Sequence, residues 1–224
     1  MKKITSIIAV MVFIALGVLS TRYSFAQPSK KGKTHQITIT NLTRNQIFSP
    51  PIVISHDDDY ELFSPGTSAE PELVALAEDG NAGPLTNLID TLPSVFDYAV
   101  AGAALLPGES VTLEVNTRGK FRKISAAGML VTTNDGFFAV SGVTIQGQRG
   151  TINQAVAYDA GSEINSEDCA YIPGPPCGNV AHDAAEAEGY IHIHAGIHGI
   201  ADLAPESYDW RNPVAEIRSI PAPR

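Results

Sequence analysis

The stretch His35-Gln36-Ile37-Thr38-Ile39-Thr40-Asn41-Leu42 alternates polar and apolar residues. Successive side chains of an extended chain point to opposite faces, so this alternation marks a half-buried β-strand, with Asn41 leading into a turn. Short apolar or alternating runs recur at 52–55, 96–101, 110–115, 123–131, 137–143, 154–158, 189–195 and 214–220. Turn signals such as Leu106-Pro107-Gly108-Glu109 and Asn116-Thr117-Arg118-Gly119 separate them. The period changes once. Ser68-Ala69-Glu70-Pro71-Glu72 opens like a capped helix, with acids in the first turn where they complement the helix dipole. Leu73, Leu76 and Ala77 follow at helical spacing, and Gly80 stops the run. A second short helix or turn fits 84–92, on Leu85, Leu88, Ile89 and Leu92. Together these elements predict an all-β fold, an antiparallel β-sandwich with a short helical insertion near 68–92.

The chain has 224 residues and a net charge of −9. Residues 1–26 read as a secretory signal peptide: Lys2 and Lys3, an apolar run over 7–19, then Ser24-Phe25-Ala26 before cleavage at Ala26-Gln27. A retained N-terminal anchor is the alternative, because Arg22 and Tyr23 spoil the cleavage region; the run is short for a membrane span. No other stretch is long and apolar enough to cross a bilayer. The mature chain is therefore expected to carry no membrane span and to be secreted, periplasmic or extracellular. Cleavage would remove Lys2, Lys3 and Arg22 and leave 198 residues with a net charge of −12. Such acidity argues against nucleic acid, which demands a basic face. Residues 27–34 read as a flexible basic leader, and 35–224 as one domain.

Cys169 and Cys177 bracket Ala-Tyr-Ile-Pro-Gly-Pro-Pro. In an exported chain a pair this close points to a local disulfide, with two free thiols or a metal pair as the alternatives.

Two further groups carry chemistry. Tyr158-Asp159-Ala160-Gly161-Ser162-Glu163 places two carboxylates four residues apart across a glycine, and Asp135 stands in the turn Thr133-Asn134-Asp135-Gly136. Two acidic turns meeting at one end of a β-structure suit a hard cation such as Ca²⁺, which takes several oxygen ligands in a flexible loop. The same residues also fill ordinary turns. The second group is His192, His194 and His198. On a strand the first two share a face, and His198 can turn back through Gly196. Three imidazoles around one point would bind zinc or copper; alternatively the histidines form a polar face while Ile191, Ile193 and Ile197 fill the core. His56 precedes Asp57-Asp58-Asp59, an acidic run that reads as a solvated loop with weak cation affinity.

Several motifs in order resemble the spondin N-terminal domain family, in particular its bacterial exported members. They are Asn41-Leu42-Thr43-Arg44, Gln46-Ile47-Phe48-Ser49-Pro50-Pro51, Ser55-His56-Asp57, Asp135-Gly136-Phe137-Phe138, the 158–163 segment, His192-Ile193-His194, Gly196-Ile197-His198-Gly199 and Trp210-Arg211-Asn212-Pro213-Val214-Ala215. The resemblance spans nearly all of 35–218. It implies a C2-like or jelly-roll-like sandwich with one calcium ion at the loop end, held by Asp135, Asp159 and Glu163. Glu163 stands where the animal members carry Asp, and the longer side chain would shift the ion or bind it through both oxygens. The thrombospondin repeats of the animal proteins are absent, so their matrix and heparin roles do not transfer.

Two function classes follow. The first is a non-enzymatic, calcium-stabilised module that binds a cell-surface or extracellular partner: a protein, a glycan or a lipid headgroup. Neither Ser141 nor Ser162 stands in a nucleophile elbow, and no phosphate loop is present. The second is a mononuclear copper or zinc protein, oxidoreductase-like, on His192, His194 and His198. That segment resembles the copper-ligand strand of Cu/Zn superoxide dismutases, but only His198 follows it, so their full ligand set is missing.

Overall fold

The computed structural model describes residues 32–145 and 150–223. The proposed signal peptide at 1–26 and leader residues 27–31 lie outside the described residues. The strands are β1 (Lys33–Asn41), β2 (Ile52–His56), β3 (Val95–Val100), β4 (Ser110–Thr117), β5 (Lys123–Met129), β6 (Gly136–Thr144), β7 (Thr151–Asp159), β8 (His192–Ile193) and β9 (Ala215–Pro221). Helices α1 (Pro71–Asp79) and α2 (Gly83–Ile89) fill the expected insertion, and a short α3 (Pro205–Tyr208) precedes the last strand. Strand β1 begins inside the stretch read as leader: Lys33 and Thr34 pair with Thr117 and Asn116 of β4. Ladder pairing uses the backbone, so polar side chains do not prevent it.

All the pairings are antiparallel, and they follow one path, β3-β2-β5-β6-β7-β9-β1-β4, with β8 added to β7. Strand β7 joins two halves. Its residues 151–155 pair with β9, and Val156 to Asp159 pair with β6. The sheet curls until its ends approach and forms a nearly closed, barrel-like wall. The ends meet through a side chain: Asp97 of β3 accepts hydrogen bonds from the Asn116 backbone (2.7 Å) and amide (2.8 Å) of β4. The all-β antiparallel expectation holds, and the pairings run as one continuous curled sheet.

The burial pattern explains each strand's composition. Strand β1 has one wet face, where Thr38 and Thr40 bond Thr112 and Ser110 across the ladder. Its Ile37 and Ile39 enter the inner core with Phe48, Val53, Leu113, Phe138 and Trp210. Strand β2 is buried along its whole length because both faces are covered. Val53 points inward, while Ile52 and Ile54 meet a second core under the helices. Leu73, Leu76 and Ala77 of α1 and Leu85 and Ile89 of α2 supply that core. Each such large apolar side chain contributes about 1.5–3 kcal/mol on burial. The strand expected over 189–195 shrinks to two residues, because Gly189 (φ 78°) and Gly196 (φ 98°) adopt left-handed turns around it. Ile193, one of the expected core residues, is 54% exposed, whereas Ile191 and Ile197 are buried.

Candidate metal centre

Strand register brings the two acidic turns together. Gly136 at the start of β6 pairs with Asp159 at the end of β7, so Asp135 lies beside the loop that follows. Ala160 donates its backbone N–H to the Asp135 carbonyl (3.2 Å). Gly161 then turns left-handed, at φ 66°, where a side chain would collide with the backbone of Tyr190. That turn aims the next two amides back at Asp135. Its Oδ2 accepts from Ser162 N (2.8 Å), Glu163 N (3.0 Å) and Ser162 Oγ (3.2 Å). Its Oδ1 is buried without a partner.

Asp135 and Asp159 are 0% exposed and Glu163 is 1% exposed, so three carboxyls are buried at one end of the β6–β7 pair. Burial raises the Asp135 pKa against the pull of the Ser162 and Glu163 amides. Burial, then the charge of Asp135, pushes Asp159 up to about 7 despite its bonds from Asn165 and Gly161. Burial also pushes Glu163 up to about 7, although the Asp183 amide opposes it. Three buried acids that resist ionisation fit a bound cation, which would stabilise the charged forms.

The carboxylates do not form one closed group. Among the described residues, ligand atoms lie within 4.8 Å of one another in two mixed groups, Glu78–Glu163–His182 and Asp159–Glu188–His192. His182 Nδ1 is 2.9 Å from Glu163 Oε1. His192 Nδ1 is 3.6 Å from Asp159 Oδ1, and its Nε2 is 4.0 Å from Glu188 Oε1. Asp135 belongs to neither group and is tied to Glu163 through the loop backbone.

The three clustered histidines of the sequence disperse. His192 and His194 lie opposite β7 residues two apart, but their rings go to different neighbours. His194 is buried edge-on against Trp210 (4.9 Å), and its Nδ1 accepts from Gly196 N (3.0 Å). Burial, with the charges of His192 and His198, drives its pKa down to about 3, so the ring stays neutral. His198 is exposed, and its backbone N–H bonds Glu167 Oε1 (2.5 Å). Glu167 Oε2 takes the next two amides, Gly199 N (2.7 Å) and Ile200 N (3.0 Å). This carboxylate therefore fixes the backbone of the His198 loop. A cavity of about 520 Å³ lies beside His194, His198, Trp210 and Arg211, away from the buried acids.

The acidic run changes in detail, and the expected disulfide forms. The run after His56 is only partly solvated: Asp57 is buried and ion-paired with Lys120 (2.5 Å), while exposed Asp58 pairs with Lys123 (2.7 Å). His56 bonds Ser125 Oγ (2.8 Å), but both residues are fully buried, so the pair is closed to a substrate. Cys169 and Cys177 form the disulfide, at a Cα separation of 4.8 Å.

Sequence reading missed Glu78, Asp79, Asn165, Glu167, His182 and Glu188. Most lie in aperiodic segments that only the register of distant strands brings into place. Glu78 and Asp79 did carry a signal: they occupy the last turn of α1, the negative end of its dipole.

Comparison with models of known protein families finds no match, and comparison with curated proteins finds none either.

Proposed function

We propose that the chain is an exported, calcium-binding, spondin-type β-sandwich module without catalytic activity, which binds a partner at a cell surface or in the extracellular space. The observation that carries the reading is the buried Asp135 Oδ1, which has no partner among the described residues and stands in the company of two other buried acids. A buried charged oxygen left alone is costly, and a calcium ion with Asp135, Asp159 and Glu163 as ligands removes that cost. Glu163 Oε2, equally buried and unpartnered, offers a second oxygen. Export is supported by the Cys169–Cys177 disulfide. The sandwich reading is supported by β7, which pairs with β9 over its first half and with β6 over its second and so passes between two ladders. A copper or zinc site on His192, His194 and His198 has less behind it, since the His194 ring is packed on Trp210 with its Nδ1 taken by Gly196 N, and His192 lies beside Asp159 instead.

The test is elemental analysis of the purified protein with thermal melts in Ca²⁺ and in EDTA. One calcium per chain and a melt raised by calcium are expected. An extracellular site needs a Kd of only roughly 10⁻⁴–10⁻³ M. A melt indifferent to both additions would remove calcium from the reading.

A further inference from the structure

We propose that Glu78, Glu163 and His182 form a second cation site, suited to a divalent transition metal of the zinc class. It shares Glu163 with the calcium reading but does not rest on it, because its distinguishing donor is a nitrogen.

The spacing fits a small ion. His182 Nδ1 is 2.9 Å from Glu163 Oε1 and 3.4 Å from Glu78 Oε2, and the three ligand atoms lie within 4.8 Å of one another. Tetrahedral zinc, with bonds of about 2.0–2.1 Å, separates its ligand atoms by roughly 3.3 Å. The donor set of one imidazole and two carboxylates is borderline, whereas calcium takes oxygen alone.

Three further observations point to an ion. Glu163 is almost wholly buried; its Oε1, which faces His182, also accepts from Asp183 N (2.9 Å), and its Oε2 has no partner among the described residues. His182 Nε2 faces Asp79 Oδ1 at 3.4 Å, so a carboxylate stands behind the ring on the side away from Nδ1. Metal-bound histidines use such a partner to fix the tautomer and orientation. Glu78 and Asp79 also occupy the last turn of α1, which holds no basic residue. Acids there oppose the helix dipole, and a divalent cation reverses the sign of the local field. The imidazole is 42% exposed, so the ion could exchange with solvent while the buried Glu163 anchors it.

The probe is zinc chloride titrated calorimetrically into the full chain with calcium in excess. Wild type is expected to bind one zinc, with binding weakened at least ~10-fold in H182A and E78Q and roughly 10–100-fold in D79N. D135N should bind zinc as wild type does. Cobalt(II) gives a second readout: a visible tetrahedral spectrum in wild type, lost in H182A. Equal zinc affinity in wild type, H182A and E78Q, or no zinc uptake by wild type, overturns the proposal. A protein that binds zinc but ignores calcium overturns only the calcium reading, and the reverse outcome overturns only this one.

Discussion

Replacing Asp135 by Asn keeps the side chain's shape and its acceptor for Ser162 and Glu163, but removes one of three buried negative charges. In EDTA the D135N protein is expected to melt at or above wild type, since less charge is confined. In calcium it loses the ligand-linked gain, about 2.7 kcal/mol at a hundredfold excess over Kd. Melting curves in the two buffers check both signs. The neighbouring acids predict a pH dependence. Asp159 and Glu163 are each pushed up to about 7. Below the ordinary carboxylate value of about 4, folded and unfolded chains are equally protonated at these positions. Between about 4 and about 7 the folded form keeps protons that the unfolded chain releases, so its stability falls as pH rises, by up to roughly 1.4 kcal/mol per pH unit for each group. In EDTA the protein should therefore melt higher near pH ~5 than near pH ~8, and calcium, which binds the ionised forms, should oppose that trend. A flat profile in EDTA would count against the buried charges. At this scale Asp135, Asp159 and Glu163 were legible because turn composition marks them. His182 and Glu188 were not, since nothing local distinguishes a histidine or an acid in an aperiodic loop.

The element on which the histidine reading turned is the loop beyond β8. Its conformation is set by the Glu167 carboxylate, which accepts three successive amides at 198–200. Hydrogen bonds to a charged acceptor are worth about 1.5–3 kcal/mol, so E167Q should destabilise by a few kcal/mol at most while freeing the loop. Amide hydrogen exchange is the sensitive measurement: the amides of His198, Gly199 and Ile200 should exchange faster, with strand β1 unaffected. Unchanged protection there would show that other contacts hold the loop. Strand periodicity was legible wherever one face is wet, as in β1, or both are covered, as in β2. It misled at 189–195, where alternation persists in sequence while two glycines bend the backbone out of the ladder.

For the whole molecule the weak point is the seam between β3 and β4. Asp97, nearly buried, satisfies both the backbone and the side chain of Asn116 across it. D97A leaves those donors without that acceptor, and a cost of roughly 1–3 kcal/mol is expected in denaturant melts. A variant as stable as wild type would mean that water closes the seam. The alternating pattern announces antiparallel strands but not how far a sheet curls, which depends on twist summed along the whole path. The same path makes the first strand, β1, a neighbour of the last, β9, with His35 opposite Pro221. During synthesis the edge of β1 that pairs with β9 therefore waits until residues 215–221 exist. Strand β1 can pair with β4 as soon as residues 110–117 are made, but its other edge stays bare until β9 follows, and in that interval the edge has to be shielded.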